Sequence, residues 1–95
     1  RMNFAADVTD AALDSLPQDL PFAAFGRLID ALEQMLGNDP VAASCKIEHP
    51  ADNSFTNGCR GGFQEDGRVY LFTALFYYGL DERIVYVWNI HLTEG

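Results

Sequence analysis

The spacing of apolar residues changes halfway along this chain, and that change limits the folds it can adopt. Between residues 22 and 36, apolar side chains recur at intervals of three and four, whereas residues 69–92 contain alternating or continuous apolar runs. The first pattern is typical of an amphipathic helix and the second of β-strands. We therefore expect an α+β fold, with helices in the first half and a sheet in the second.

The long helix has the clearest pattern in the chain. Its apolar stripe consists of Phe22, Phe25, Leu28, Ile29, Leu32, Met35 and Leu36. Asp19 is a candidate N-cap with Pro21 in the first turn, and Gly37 followed by Pro40 indicates where the helix ends. The stripe has the composition of a partner-binding face, but this spacing more often marks the side that faces the core.

A strand and a shorter helix precede the long helix. Residues 3–8 alternate weakly and suggest a short N-terminal strand. Thr9 and Asp10 are well suited to cap a helix over residues 10–16, which Pro17 ends.

The second half begins with a short strand and a hairpin. Cys45–Glu48 alternates like a strand, and residues 49–54 are expected to form a loop because they are rich in Pro, Asp and Asn. Residues 58–64 then lead to Asp66 and Gly67, and Asp-Gly is a strong signal for a hairpin turn.

Two long strands complete the pattern. Residues 68–78 are apolar on both alternating faces, as expected of a central strand that is covered on each side. A turn over residues 79–82 leads to a last strand over residues 83–92. We therefore expect the strands of the second half to form an antiparallel β-meander.

Composition indicates one acidic domain. Ninety-five residues with 48% hydrophobic content suffice for a compact core, so a single domain over residues 1–95 is expected. Fourteen Asp and Glu against six Lys and Arg give a formal net charge of -8. Such a field repels phosphate backbones and anionic membranes, so RNA and membranes are not expected partners. Residues 1–40 carry seven acids and two bases, so any basic patch must lie in the second half.

Cysteine and histidine content points to no cofactor. Cys45 and Cys59 are the only cysteines, and we expect both to be reduced and buried, although their neighbouring strands leave a disulfide geometrically conceivable. Their spacing from the two histidines is not that of a zinc site, and no cofactor motif is present.

Residues 2–7 reach an acid before any hydrophobic region, so no signal peptide is expected. We predict a cytoplasmic protein.

The order of elements resembles the RelE/ParE superfamily, the toxin components of bacterial toxin-antitoxin pairs. More specific likenesses are Gly58-Cys59-Arg60, Gly67-Arg68-Val69-Tyr70 and the strand from Ile84 to His91, which look like the basic-led strands of that family. The resemblance implies a RelE/ParE-like fold and a toxin-like function, either mRNA-cleaving or gyrase-type, with its activity retained or degenerate. It also implies a protein partner, the antitoxin.

The ribonuclease branch of that family needs cationic groups and a general acid or base beside the scissile phosphate. The resemblance makes Arg60, Arg68 and His91 candidate catalytic residues, with Lys46 as a further candidate. The chain departs from the family in its acidity and in Thr93-Glu94-Gly95, where ribonuclease members often carry a basic tail with Tyr or His.

Simpler interpretations exist for the same residues. Arg68 and Arg83 each follow acidic turns, so they are expected to solubilise strand ends and pair with adjacent acids. His91 alternates with apolar neighbours and is expected to lie, half-buried, on the face of Val85 and Val87.

Two further functions therefore stay open beside the toxin-like one. The first is a non-catalytic acidic interaction protein, such as an inhibitor, an immunity-type protein or a nucleic-acid mimic, whose carboxylates face a basic target protein. The second is a self-associating accessory module. A homodimer would then form through the long helix or through the strand of residues 83–92, which is expected to lie at the sheet edge.

Overall fold

A computed structural model of the chain describes residues 4–38, 45–48, 55–79 and 83–95. The elements in chain order are β1 (Ala5–Val8), α1 (Asp10–Asp14), α2 (Phe22–Asn38), β2 (Cys45–Glu48), β3 (Phe55–Glu65), β4 (Arg68–Gly79) and β5 (Ile84–Glu94). The α+β class and the two helices predicted from the sequence are confirmed. The predicted loop at residues 49–54 lies outside the described residues.

The five strands form one sheet in the order β1-β5-β4-β3-β2. Strands β2 to β5 pair antiparallel in chain order, as predicted for the meander. β1 instead pairs parallel with β5, with Ala5 opposite Ile84 and Val8 opposite Val87. The sheet is therefore mixed, because the helices and the meander return the chain to β1 running in the same direction.

The prediction that the last strand lies at the sheet edge is wrong, since β5 lies between β1 and β4. Beyond the end of β1, side chains form hydrogen bonds with the outer edge of β5. The Thr9 hydroxyl donates to the Val87 carbonyl at 2.9 Å. The Ile90 N–H donates to the Ser15 hydroxyl oxygen at 2.9 Å. The structure therefore does not support self-association through the edge of β5.

Local capping agrees with the sequence at α1 and differs at α2. The Thr9 hydroxyl oxygen accepts the Ala12 N–H at 3.4 Å, so Thr9 is the N-cap as predicted. At α2 the Pro21 carbonyl accepts the Phe25 N–H at 3.0 Å, which places the start of the helix at Phe22. The predicted N-cap, Asp19, is wrong because it lies in the turn before that start.

Four residues of the stripe on α2 pack into the core, namely Leu28, Leu32, Met35 and Leu36, whereas Phe25 and Ile29 are only partly buried. Leu28, Leu32 and Leu36 are fully buried, whereas Phe22 is 89% exposed. At 3.6 residues per turn, Phe22 lies roughly 100° round the helix from the centre of the buried stripe. The prediction that Phe22 faces the core is therefore wrong, and Ala24 occupies that end of the core instead.

The helices cover one face of the sheet. The inward side chains of β4 are Tyr70, Phe72, Ala74 and Phe76, all buried in the same cluster as the α2 leucines. On the opposite side, Leu71 is 53% exposed and Tyr77 is 52% exposed. Within the described ranges, the prediction that β4 is covered on both sides is thus wrong. We call the side that carries Leu71, Thr73 and Tyr77 the open face.

The hairpin between β3 and β4 has the predicted turn. Asp66 and Gly67 have φ values of 55° and 74°, the left-handed conformation that a two-residue turn requires at both positions. Cys59 is fully buried, as predicted for that residue. In the parts of the chain that the structure describes, no helix is long and apolar enough to cross a membrane.

Truncation of the core tests the packing of α2. Leu32→Ala is expected to lower the free energy of unfolding by about 2–5 kcal/mol, because it leaves a cavity at a fully buried position. Phe22→Ala, on the same helix but exposed, is expected to change it by less than about 0.5 kcal/mol. Urea denaturation measures both, and equal losses would contradict the assigned helix face.

Two glycines offer a second test, because a Cβ would meet different surroundings at each. At Gly61 it would lie 2.7 Å from Cζ of the buried Phe72, so Gly61→Ala is expected to cost about 1–3 kcal/mol of stability. At Gly26, inside α2, it would meet nothing within 4 Å, so Gly26→Ala is expected to stabilise the protein by about 0.5–1 kcal/mol. Thermal unfolding of the two variants should shift in opposite directions.

Candidate functional site

Arg60, Thr73 and His91 form one row across three strands of the open face. Arg60 lies opposite Thr73 in the β3–β4 ladder, and Thr73 lies opposite His91 in the β4–β5 ladder. Opposite residues project to the same side of a sheet, so the three side chains emerge together. Arg60 and His91 are exposed, and Thr73 is half-buried between them. Two of the three predicted catalytic residues are therefore close neighbours.

The spacing of this row suits a small anionic group. Neighbouring strands lie about 4.8 Å apart, so the Cα atoms of Arg60 and His91 are separated by roughly 10 Å. A phosphate above Thr73 would be within reach of a guanidinium on one side and an imidazole on the other. A shallow depression follows the row and is lined by Arg60, Gly61, Leu71, Phe72, Thr73, His91 and Thr93.

A β-bulge brings His91 to the open face. Leu75 lies opposite Asn89 and Phe76 lies opposite Val87, so Trp88 is one extra residue in β5. A bulge reverses which alternate positions face inward. Odd-numbered residues are buried before it and even-numbered residues after it. The prediction that His91 shares a face with the buried valines of β5 is therefore wrong, because it assumed unbroken alternation.

Aromatic and aliphatic side chains flank the row. On one side, Tyr77 and Tyr86 are opposite each other in the ladder and stack, with ring centroids 5.1 Å apart and planes inclined by 23°. On the other side lies the exposed Leu71. The row is a polar strip within a mainly apolar surface.

Arg68, the third predicted catalytic residue, lies elsewhere. It follows the hairpin turn on the helix side of the sheet, and its guanidinium lies 3.5 Å from the Glu94 carboxylate, with both side chains exposed. A hydrogen bond with Tyr70 and the nearby negative charge of Glu94 raise the pKa of Arg68 above its ordinary value. These contacts fit the simpler interpretation of Arg68 as an arginine that pairs with an acid, although that acid is Glu94 rather than a neighbour in sequence.

Arg68 also borders a separate depression. Its volume is about 230 Å³, and its lining comprises Pro17, Asp19, Leu20, Pro21, Arg68, Tyr70, Leu92, Thr93 and Glu94. Of the further candidate Lys46, only the backbone is described, opposite Asn57 in the β2–β3 ladder. Neither residue is brought into the row of Arg60 and His91 by the described geometry.

The acidic residues are unevenly distributed between the layers. The helices carry exposed Asp10, Asp14, Asp30 and Glu33. On the described strands, the acid of the open face is Asp7, which lies opposite Tyr86 near the outer edge. Among the side chains that the structure describes, the open face therefore carries fewer acids than the helical layer.

Thr73 is the residue of this row that the sequence analysis missed. A hydroxyl within an apolar strand matches no motif, but the position of the hairpin turn determines which residue lies opposite Arg60. Counting outward from a two-residue turn at Asp66 and Gly67 pairs Arg60 with Thr73, which is the register observed. The same counting fails for His91, because it assumes unbroken alternation. The signal of the bulge is the change of phase in the apolar residues of β5, from Val85 and Val87 to Ile90 and Leu92.

Among the described residues, no group of three or more His, Cys, Asp or Glu side chains has the geometry of a metal site. Comparison of the chain with protein-family models, curated proteins and solved structures gave no match. The chemistry that the open face offers is that of a guanidinium, a hydroxyl and an imidazole in line. This set can bind an anion and transfer a proton.

Proposed function

We propose that this chain is a toxin-like component of a bacterial toxin-antitoxin module that cleaves a phosphodiester of mRNA at the open face, and that an antitoxin protein restrains it. The observation that carries the proposal is the row of Arg60, Thr73 and His91 on one face of the sheet, away from most of the described acids. The order of elements, which resembles RelE/ParE toxins, supports it. The net charge of -8 opposes encounter with RNA, but most of the described acids lie away from this row.

The row supplies groups for transesterification by the ribose 2′-hydroxyl. His91 would accept the proton of that hydroxyl as its oxygen attacks phosphorus. Arg60 would stabilise the negative charge that develops on the phosphorane oxygens, and the Thr73 hydroxyl would donate a hydrogen bond to one of them. The bond from phosphorus to the 5′-oxygen then breaks, and solvent protonates that oxygen. The products are a 2′,3′-cyclic phosphate and a 5′-hydroxyl.

A second candidate function, an acidic interaction protein, is favoured by the helical layer. Asp30 and Glu33 are exposed on α2, where Arg27 is already paired with Glu65 at 3.0 Å. Such a surface would attract a basic target protein and accelerate its association at low salt. This function needs neither Arg60 nor His91.

Substitutions in the row test the proposed chemistry. Arg60→Ala and His91→Ala are each expected to reduce mRNA cleavage by about 10²–10⁴-fold, because each removes charge stabilisation or proton transfer. Arg27→Ala is the matched control: it also removes an exposed arginine, but from the helical layer. Primer extension on mRNA in a purified translation reaction measures cleavage, and growth arrest on expression measures toxicity.

Three outcomes would contradict the proposal. Harmless expression together with no cleavage by the unaltered chain would exclude an active toxin. Loss of activity in Arg68→Ala with full activity in Arg60→Ala would move the site to the other side of the sheet. Binding of a basic protein that survives Arg60→Ala but fails in Asp30→Asn with Glu33→Gln would favour the second function.

A further inference from the structure

Two depressions on the helix side of the sheet meet at Arg68. The first is the depression of about 230 Å³ described above. The second has a volume of about 340 Å³ and is lined by Pro21, Ala23, Glu65, Asp66, Arg68 and Tyr70. Because Pro21, Arg68 and Tyr70 line both depressions, the two are lobes of one continuous groove, which we call the corner groove. It lies between the turn that precedes α2 and the hairpin end of the sheet.

The walls of the corner groove are apolar and fixed in place. Tyr70 and Leu92, which line one side, are buried residues of the core. Pro17 and Pro21 bound the turn on the other side, and the Leu20 N–H donates to the Pro17 carbonyl at 3.3 Å. Each proline fixes its own φ, so this wall loses little conformational freedom when a ligand binds.

Each lobe contains one carboxylate that is not part of an ion pair. Asp19 lines the first lobe and Asp66 lines the second. Both residues are exposed, and neither has a cationic partner among the side chains that the structure describes. Glu65 and Glu94 also line the groove, but each is already paired with an arginine. The groove therefore offers one unpaired negative charge on each side of Arg68.

Shape and charge together select the occupant. Each lobe is near or below the lower limit of about 300 Å³ for a small-molecule pocket, so a lobe suits one side chain of a peptide rather than a whole ligand. An apolar wall suits the aliphatic stem of lysine or arginine, and a carboxylate at the rim suits the cationic end. Asp30 and Glu33 lie outside the groove, so they offer charge without these walls.

We propose that the corner groove binds an extended segment of a partner protein in which two basic residues flank an apolar one. One basic side chain would enter the first lobe towards Asp19 and the other the second lobe towards Asp66, while the apolar residue packs on Pro21 and Tyr70. Phe22 is 89% exposed, lies between two residues that line the second lobe, and supplies further apolar surface.

This inference rests on the second candidate function, for which it names the site, and is independent of RNA cleavage. The exposed acids of α2 would attract the basic partner at long range, and the groove would hold it.

Fluorescence anisotropy with the full chain and a labelled peptide, Ser-Gly-Lys-Leu-Lys-Gly-Ser, tests the groove. Asp19→Asn with Asp66→Asn is expected to weaken binding about three- to tenfold, because each change removes one exposed charge pair. Asparagine preserves the size of both side chains and tolerates the left-handed backbone of residue 66. Asp30→Asn with Glu33→Gln removes the same charge outside the groove and is expected to change the affinity by less than about twofold at moderate salt.

Arg68 provides a second test, because its expected effect has the opposite sign. Besides a hydrogen bond with Tyr70, the charges of Glu94 and Asp66 raise the pKa of Arg68. Removing the arginine releases these carboxylates for the peptide, so Arg68→Ala is expected to strengthen binding about two- to fivefold. Arg83→Ala removes the same charge beyond the other end of β5 and is expected to leave the affinity unchanged.

The peptide itself supplies a control for the apolar contact. Replacing its central leucine with glycine is expected to weaken binding about threefold or more, because less apolar surface is buried against the groove. Equal affinity for the two peptides would mean that charge alone holds them, and would overturn the inference.

Three further results would overturn it. The first is no binding of the leucine peptide by the unaltered chain, and the second is weaker binding in Arg68→Ala. The third is binding that survives Asp19→Asn with Asp66→Asn but is lost in Asp30→Asn with Glu33→Gln. In that last case the second candidate function stands while this inference fails. Circular dichroism establishes that each variant is folded.

Discussion

The pairing of β4 with a neighbour on each side along nearly its whole length is the constraint on which the rest of the structure depends. The Asp66-Gly67 turn sets the register with β3, and that register places Arg60 opposite Thr73. The same strand supplies Phe72 and Phe76 to the core below the helices. One strand thus determines both the interior that holds the helices and the surface on which the candidate site lies.

Local signals in the sequence predicted much of this fold. The stripe on α2, the Thr9 cap and the Asp-Gly turn each depend on residues close together in the chain, where spacing alone determines the geometry. Features that depend on distant pairing were not predictable. The parallel pairing of β1 moves β5 from the edge to the interior of the sheet. Apolar residues on both faces of β4 do not reveal whether the second covering layer belongs to the same chain.

The candidate site was predictable in part, for the same reason. The resemblance named Arg60 and Arg68 together as candidate catalytic residues, but residues 60 and 68 lie on opposite sides of the sheet. The residue opposite Arg60, Thr73, follows from the hairpin register. The net charge of the whole chain likewise contains no information about which layer carries the acids. The distribution matters more than the total, because screening confines exposed charges to effects within about 10 Å.

The bulge at Trp88 shifts the inward and outward alternation of side chains in β5 by one residue. A strand that alternated regularly from Val85 onward with all its residues present would turn Ile90 and Leu92 to solvent and carry His91 and Thr93 into the interior. The bulge therefore keeps the second half of β5 in phase with the core. Loss of Trp88 would instead leave a regular strand with the same residues on each face, so homologues of this chain should either keep the bulge or lack one residue at this point.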